Sequence, residues 1–397
     1  MIKLHIYFLL NVTSIFFASC GSIQSSGDIN EQYIEPKLNL TQSDGFDNQG
    51  EIPPVDVSKH SVPLNEIIFD TFRAVNRGVP LSFASPELIQ DLVDAIPPIH
   101  KPNYQSPEEA SWLNDSDVVI GYSTDSGAWA FPLRILNYHE IVNDVIEGIP
   151  VLISYCPLCY SGVVYHRQVE NQILTFGNTS ALYESDMVML DYQTGSYWWQ
   201  VAGKSIVGKL NGKSLQTLPS QSISWGEWQK LHPDTLVLST DTGYTRNYGI
   251  DPFGGYQDRV NAGQFAFPVS EDALNMRLKP GALVIAAIVR EDVHVYVLET
   301  KAAQVIMDTI AGKNVVVFIS GDGTNAGIFE ATLEDEKLTF EIRENSFIDL
   351  KSGSAWSLGG EAISGSLQGK RLMSIATKTS FWFAMIAAEP NAVLVLE

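Results

Sequence analysis

The sequence predicts an α+β protein made mainly of short antiparallel strands with few helices, in which one unit occurs twice. From residue 117 onward, short aliphatic and aromatic runs alternate with Gly, Pro, Asn and Asp, which is typical of strands and tight turns. Stretches with the spacing of an amphipathic helix are few and short. A series of Gly, Trp and aliphatic positions recurs along two stretches of the chain, and this recurrence indicates the duplication.

The two stretches are residues 117–240, called the first segment, and residues 281–397, called the second segment. The evidence is a matching order of residues: Asp191, Gly195, Ser196, Trp198, Trp225 and Pro233 recur as Asp349, Gly353, Ser354, Trp356, Trp382 and Pro390. We predict that the segments are two copies of one unit, joined by a connector at residues 241–280.

The N-terminal residues have the pattern of an export signal. Lys3 precedes an apolar run from Ile6 to Ala18, which is too short for a membrane-spanning helix. The run ends in Phe17-Ala18-Ser19-Cys20, which is similar to the site at which bacterial lipoproteins are cleaved and lipidated. We predict a lipoprotein signal peptide over 1–20 with Cys20 lipidated, the alternative being a plain signal peptide in which Cys20 occurs by chance.

Lipidation would anchor the chain to a membrane of the cell envelope, on the outer membrane or facing the periplasm. Residues 21–60 are polar, contain Pro53-Pro54 and show no hydrophobic period, so they predict a flexible tether. Residues 61–116 are predicted to form an N-terminal extension that packs on the body. The formal net charge of −21 excludes a nucleic-acid partner, because phosphate binding requires clustered Lys and Arg.

The elements are predicted in chain order from local pattern. Residues 86–95 indicate a short helix, and the proline-rich residues 96–102 must be extended. Residues 118–122 and 128–131 predict a hairpin around Asp125-Ser126-Gly127. The 3–4 spacing of apolar residues over 137–146 predicts a helix. Strands are expected at residues 151–154, 163–166, 173–176, 187–190, 197–201 and 235–238, and a helix at 225–231.

Cys156 and Cys159 are the only cysteines outside the signal segment, and they lie between two predicted strands. A strand rather than a helix follows Cys159, which disfavours the thioredoxin arrangement. A turn between strands instead suits a metal knuckle, in which both sulfurs face one ion. A metal-free redox dithiol and an inert structural disulfide stay open as alternatives.

A metal site with two thiolates needs further ligands. His139 is the favoured third group, and His166, Asp186 and Glu140 are additional candidates. Such a donor set suits zinc or copper. Trp199, which follows the recurring Trp198, could line a pocket if the two side chains point to opposite faces of a strand.

Comparison of the two segments separates scaffold positions from candidate site positions. Asp186 aligns with Glu344, so an acidic residue is present in both segments. The other candidates are replaced: Cys156 aligns with Gly321, Cys159 with Thr324, His139 with Ala303, His166 with Ala331 and Trp199 with Ser357. A group that the shared fold required would be present in both segments, so the replaced residues are predicted to serve a site.

Several motifs together resemble a bacterial and archaeal family catalogued as a domain of unknown function, numbered three-one-seven-nine. The resemblance extends from Ile96 to about Val289, and it implies a periplasmic or secreted setting but no reaction. It is carried by Ile96-Pro97-Pro98-Ile99, Pro132-Leu133-Arg134-Ile135-Leu136, His139-Glu140-Ile141-Val142-Asn143-Asp144, Tyr155-Cys156-Pro157-Leu158-Cys159, Phe176-Gly177, Ser185, Thr194-Gly195-Ser196-Tyr197-Trp198 and His232-Pro233-Asp234-Thr235.

Three hypotheses for function follow. The first is a metal-binding or metal-dependent redox lipoprotein with its site at Cys156, Cys159 and His139. The second is a metal-free thiol–disulfide oxidoreductase, and the third is a non-catalytic ligand-binding lipoprotein. The redox hypotheses require a small-molecule or protein partner, which the sequence does not identify.

Overall fold

The computed structural model describes residues 51–73, 77–274 and 277–396. These residues form mostly short strands, largely antiparallel, with a few short helices, which confirms the predicted fold class. Cys20, the signal segment and residues 21–50 of the predicted tether lie outside the described residues. Among the described residues, every helix is too short or too polar to cross a bilayer.

The N-terminal part contains few elements. They are β1 (Ile68–Asp70), β2 (Gly78–Pro80), a 3-10 turn (Leu81–Phe83), α1 (Pro86–Leu92), β3 (Ile99–His100) and β4 (Tyr104–Gln105). The first segment is β-rich. It contains β5 (Val118–Ser123), β6 (Ala128–Pro132), α2 (Leu133–His139), β7 (Ile141–Ile146), β8 (Ile149–Cys156), β9 (Ser161–His166), β10 (Gln168–Val169), β11 (Gln172–Ile173), β12 (Phe176–Tyr183), β13 (Asp186–Asp191), β14 (Tyr197–Trp199), β15 (Lys204–Val207), β16 (Gln216–Thr217), β17 (Gln221–Ser224), α3 (Trp225–Leu231) and β18 (Leu236–Leu238).

In the described part of the connector there is one helix, α4 (Tyr256–Asn261). The second segment is again mostly strands. It contains β19 (Leu283–Val289), β20 (Asp292–Val297), β21 (Gln304–Ile310), β22 (Lys313–Ile319), β23 (Ala326–Glu330), β24 (Thr332–Leu333), β25 (Glu336–Lys337), β26 (Phe340–Arg343), β27 (Ser346–Asp349), β28 (Ala355–Trp356), β29 (Ala362–Ser364), β30 (Ala376–Phe381), α5 (Trp382–Ala388) and β31 (Val393–Val395).

Strands at matching positions of the two segments pair in the same order. In the first segment the order is β17-β5-β6-β18, and in the second it is β30-β19-β20-β31. The first two pairings are antiparallel and the last is parallel in both sets. The meander β7-β8-β9 likewise corresponds to β21-β22-β23, and β12-β13-β14-β15 to β26-β27-β28-β29.

The central sheet joins the two segments. Its order is β3-β7-β8-β9-β30-β19-β20-β31, so β9 of the first segment lies beside β30 of the second. The contact is reciprocal, because β17 of the first segment reaches β23 of the second: the Gln221 side chain donates to the Ala326 carbonyl at 3.3 Å. The β8–β9 hairpin, which carries the two cysteines, is therefore held between strands of both segments.

The predicted helix over 137–146 is wrong. The helix is α2, which lies earlier and ends at His139, and Glu140 then adopts a left-handed conformation with φ of 58°. The following residues form β7, which pairs along its whole length with β8. The β-branched residues Ile141, Val142 and Val145 favour a strand, and their spacing had suited either structure.

The tether prediction also fails over its last residues. Residues 51–60 pack on the body: Ile52 and Val55 contact the core beside β1, and the Gly208 amide donates to the Lys59 carbonyl at 2.8 Å. The predicted hairpin at 118–131 is confirmed as β5–β6, and the predicted helix at 225–231 as α3.

Candidate metal centre

The two cysteines lie at a turn between paired strands. β8 ends at Cys156, β9 begins at Ser161, and these two residues pair with each other across the hairpin. The turn is closed by Tyr160, which has a φ of 52°. Both thiols point into the protein, with Cys156 1% and Cys159 0% exposed. The hairpin thus presents both sulfurs to one buried point, as the knuckle interpretation requires.

Asp186 completes a group of three potential metal ligands. It is the first residue of β13, placed there by a two-residue turn in which Glu184 and Ser185 both have positive φ. The thiol of Cys159 donates to Asp186 Oδ1 at 2.9 Å, and the Val201 amide donates to Oδ2 at 2.8 Å. Within the described residues, the ligand atoms of Cys156, Cys159 and Asp186 lie within 4.8 Å of one another.

A buried polar network surrounds these three residues. Ser161 Oγ donates to Gln200 Oε1, and Gln200 Nε2 donates to Ser154 Oγ at 2.9 Å. Ser161 Oγ is also 3.2 Å from the Cys159 sulfur. Ser161, Gln200 and Ser154 were not predicted from the sequence. The replacement of Gln200 by an apolar residue in the second segment could have indicated Gln200.

Burial shifts the pKa of all three groups upward. Burial raises the pKa of Cys156, and it raises the pKa of Cys159 well above its usual value. Burial also raises the pKa of Asp186 to about 6. Three acidic groups are therefore held in a water-excluded space in which their charged forms are costly, and a metal ion would supply the compensating charge.

Glu140 lies close to the centre without joining it. Its carboxylate accepts a hydrogen bond from Asn178 Nδ2 at 2.6 Å. Burial, together with the nearby Asp186, raises the pKa of Glu140 to about 8. Glu140 is therefore a proton-binding neighbour of the three ligands.

His139, the favoured third ligand from sequence, lies outside the group. It is 0% exposed, and both ring nitrogens are engaged. Nδ1 donates to the Pro97 carbonyl at 2.8 Å, and Nε2 accepts from the Tyr248 hydroxyl at 2.7 Å. These bonds tie α2 to the extended segment and to the connector, so in this structure His139 holds the fold around the site.

His166 and Trp199 also lie away from the ligand group. His166 is the last residue of β9, and its Nδ1 accepts from the Gln168 amide at 3.3 Å. The Trp199 ring is 8% exposed and packs edge-to-face on Tyr183, with centroids 4.8 Å apart, in the core beside β1. Trp199 is therefore part of the core and lines none of the cavities described below.

An apolar cover separates the sulfurs from solvent. Tyr160 stacks on Phe381 of the second segment with centroids 5.6 Å apart, and the Phe381 amide donates to the Cys159 carbonyl at 2.8 Å. Tyr256 and Val260 of α4 pack against the same cluster from the connector. The cover is thus built from residues distant in sequence.

The geometry can hold a metal through two thiolates and one carboxylate. Zinc is commonly bound by Cys sulfur and Asp oxygen in tetrahedral geometry, so three protein ligands leave one position for water or another group. Copper also accepts thiolate ligands. Ser161 and the Val201 amide hydrogen-bond to Cys159 and Asp186 and would orient them toward such an ion.

Comparison with known proteins identifies the family. Residues 93–392 match the family described as protein of unknown function (DUF3179), and the chain belongs to this family. The match continues well past Val289 and covers most of the second segment, so the family domain is longer than the sequence motifs indicated. No curated protein and no solved structure matches the chain.

Proposed function

We propose that this chain is a metal-binding protein of the cell envelope that holds one zinc or copper ion at Cys156, Cys159 and Asp186. The observation that carries the proposal is the convergence of two buried thiols and one buried carboxyl group from two separate hairpins, with ligand atoms within 4.8 Å of one another. Metal binding would displace the protons from all three groups and remove the cost of burying them.

The same burial argues against a metal-free redox dithiol. Thiol–disulfide exchange requires a thiolate that a partner can reach. Here the pKa of each thiol is raised, and the exposed fractions are 1% for Cys156 and 0% for Cys159. A redox function would therefore use the bound metal or require the cover to open.

A purely structural role is disfavoured by the comparison of the two segments. A disulfide between Cys156 and Cys159 would close a very small loop and would stabilise the fold little. The β22–β23 hairpin of the second segment forms the same strand pairing without cysteines. We infer that the segments are two copies of one unit, and that the second copy has lost the ligands and helps to cover the site through Phe381.

Metal content tests the proposal. We expect protein purified under reducing conditions to contain one zinc or copper ion per chain by elemental analysis. Cys156→Ser and Asp186→Asn should lose the ion, because each removes an anionic ligand. His139→Gln is the matched control: it alters a buried group near the site and should keep the ion. Absence of metal from the wild type, or equal metal in Asp186→Asn, would refute the proposal.

The envelope location rests on the N-terminal sequence. We propose that Cys20 is lipidated and anchors the chain to a membrane. Full-length protein expressed in a bacterial host should incorporate a labelled fatty acid and sediment with membranes, and Cys20→Ser should do neither. Labelling that persists in Cys20→Ser would contradict this part of the proposal.

A further inference from the structure

The connector is attached to the body through side chains. Its residues 241–274 form one short helix and no strand. Among the described residues, each backbone–backbone hydrogen bond of this stretch joins two residues of the connector itself. The cysteine hairpin, by contrast, is paired with its neighbours through backbone bonds on both sides. The connector can therefore leave the body without disrupting a sheet.

The helix of the connector, α4, covers the two sulfurs. Tyr256, its first residue, packs in the same apolar cluster as Cys156 and Cys159. A glycine lies on each side of the helix: Gly255 has a φ of 72° and Gly263 a φ of 76°, and neither has an atom within 4 Å of an added Cβ. Glycines with open space at both ends of a covering element are suited to act as hinges.

The arm that precedes α4, residues 241–255, has a single buried residue. Tyr248 is 7% exposed, and every other residue of the arm is exposed or half-buried. The Tyr248 hydroxyl is 2.7 Å from His139 Nε2 and 2.7 Å from Thr242 Oγ1. His139 Nδ1 is 2.8 Å from the Pro97 carbonyl, which can only accept, so Nδ1 carries the proton and Nε2 accepts from Tyr248. His139 is thus held in the orientation that binds the arm.

The other hydrogen bonds between α2 and the arm are exposed. Tyr138 donates to the Ile250 carbonyl at 3.0 Å, and Asn137 donates to Asp251 at 3.2 Å. Exposed hydrogen bonds compete with water and contribute little to stability. Among the described residues, the bond to Tyr248 is the one buried hydrogen bond that joins the arm to the body.

Packing beneath the connector is incomplete. Two cavities of about 570 Å³ and about 380 Å³ adjoin the cysteine turn, and Tyr160, Phe381 and Gln257 line both. The smaller cavity is bounded by Pro157 of the cysteine turn and by Tyr248 of the arm. Surface beside an open cavity makes fewer packing contacts, so separating the connector from the body costs less dispersion energy.

The comparison of the segments gives His139 a role that is specific to the first one. The second segment has Ala303 at the matching position, and β21 still pairs with β22 beside it. The fold of the unit therefore does not require this histidine. A residue that holds the cover over the cysteines, rather than an ion, fits both its absence from the second segment and its position outside the ligand group.

We propose that residues 241–263 form a lid over the metal-binding cysteines and that the hydrogen bond between Tyr248 and His139 is its latch. When this bond breaks, the arm leaves the surface, α4 moves about the adjoining glycines, and the sulfurs become accessible. The lid controls access to Cys156 and Cys159 whether or not an ion is bound, and only its use as the route of the ion rests on the proposed function.

The reaction of the two thiols with 5,5′-dithiobis(2-nitrobenzoate) tests the lid in the metal-free full chain. Cys20→Ser in every sample leaves Cys156 and Cys159 as the only thiols. They react only while the lid is open, so the rate reports the opening equilibrium. Tyr248→Phe removes the latch hydroxyl and keeps the ring, and it should raise the rate about fivefold. Tyr296→Phe, the matched control, removes another hydroxyl bond of 2.7 Å in a cluster without connector residues, and it should change the rate less than about twofold.

The effect of urea separates lid opening from unfolding of the whole protein. Local opening exposes little surface, so the rate should change little with urea below the unfolding transition. In protein that holds an ion, Tyr248→Phe should also accelerate transfer of the ion to a chelator about fivefold. Absence of an ion would contradict the proposed function alone, because the thiol reaction does not require one. A thiol reaction with the urea dependence of global unfolding, equal acceleration by both variants, or no acceleration by Tyr248→Phe would overturn the lid.

Discussion

The β8–β9 and β22–β23 hairpins of the two segments have the same strand pairing but different residues at their turns. In the first segment Val151 pairs with His166, and in the second Val315 pairs with Glu330. The two hairpins therefore have equal length. Counting five residues from Val151 gives Cys156, and counting five from Val315 gives Ser320. By the same count Cys159 corresponds to Gly323, one residue earlier than the sequence alignment had placed the match, and His166 corresponds to Glu330.

The turns differ in backbone as well as in side chains. Tyr160 carries the positive φ in the first turn, and Gly323 carries it in the second, with φ of 69°. A Cβ at Gly323 would lie 2.2 Å from the Thr300 backbone nitrogen. The second turn therefore has no room for a side chain where the first carries a cysteine. The two hairpins therefore share their strand pairing, while their turns differ in backbone conformation and in side chains.

The second segment has an acidic residue at the position of Asp186, but in a different environment. Asp186 lies on β13, three residues before the position that pairs with Trp198. The same count from the residue paired with Trp356 reaches Glu344, which lies in a hairpin turn and is exposed. The sequence alignment of Asp186 with Glu344 agrees with this register, but only Asp186 is buried.

The largest effect we expect is on the pH dependence of stability, and it comes from Glu140. The second segment has Gln304 at the matching position. The pKa of Glu140 is raised in the folded protein from 4.5 to about 8. Its contribution to stability is therefore complete below pH 4.5 and decreases as the pH rises toward 8. Glu140→Gln, which installs the residue of the second segment, should remove this decrease.

Compared with the wild type, Glu140→Gln should have a higher free energy of unfolding at pH 8.5. The gain over its value at pH 4.5 should be on the order of 4 kcal/mol. Urea denaturation of metal-free protein across this pH range measures it. Asn178 can also donate to the amide oxygen of a Gln, so the fold should be retained. A variant with the same pH dependence as the wild type would show that Glu140 is not the buried proton-binding group.

The next largest effect tests the closed second turn. Gly323→Ala combines a positive φ with a backbone clash, and it should destabilise the protein by about 3 kcal/mol in thermal or urea unfolding. Gly312→Ala is the matched control, since Gly312 has a φ of 81° and no atom within 4 Å of an added Cβ. It should cost about 1–2 kcal/mol. Equal losses would mean that the second turn can accept a side chain.

The smallest effect tests a feature that the segments share. Trp198 Nε1 donates to Asp191 at 2.9 Å, and Trp356 Nε1 donates to Asp349 at 3.2 Å. Trp198→Phe and Trp356→Phe should each cost about 2 kcal/mol, because a buried carboxylate loses a donor. Trp199 is the control: its Nε1 has no partner among the described residues, so Trp199→Phe should cost less. An equal loss at Trp199 would assign the effect to ring packing alone.

Local pattern predicted much of this fold. The hairpin at the cysteines, the β5–β6 hairpin and α3 follow from strand and turn residues near one another in sequence. The helix expected at 137–146 failed, because the apolar spacing fits a helix and a strand equally and the pairing of β7 with β8 decides between them.

The site was predicted only in part. Cys156 and Cys159 were identified from their spacing, whereas Asp186 was one of several additional candidates and His139 was preferred. Which of these residues meet depends on the β12–β13 hairpin folding against β8 and β9, a contact that no local pattern specifies. Ser161 and Gln200 were missed for the same reason, because their importance comes from burial beside the sulfurs.

X-ray absorption spectroscopy of the metal-loaded protein tests the central claim most directly, because it counts the atoms bound to the ion. The proposed centre predicts two sulfur neighbours at about 2.3 Å and the remaining neighbours as oxygen at about 2.0–2.2 Å, without the signature of imidazole. A spectrum with no sulfur, or with an imidazole ligand in place of the Asp186 carboxylate, would contradict it.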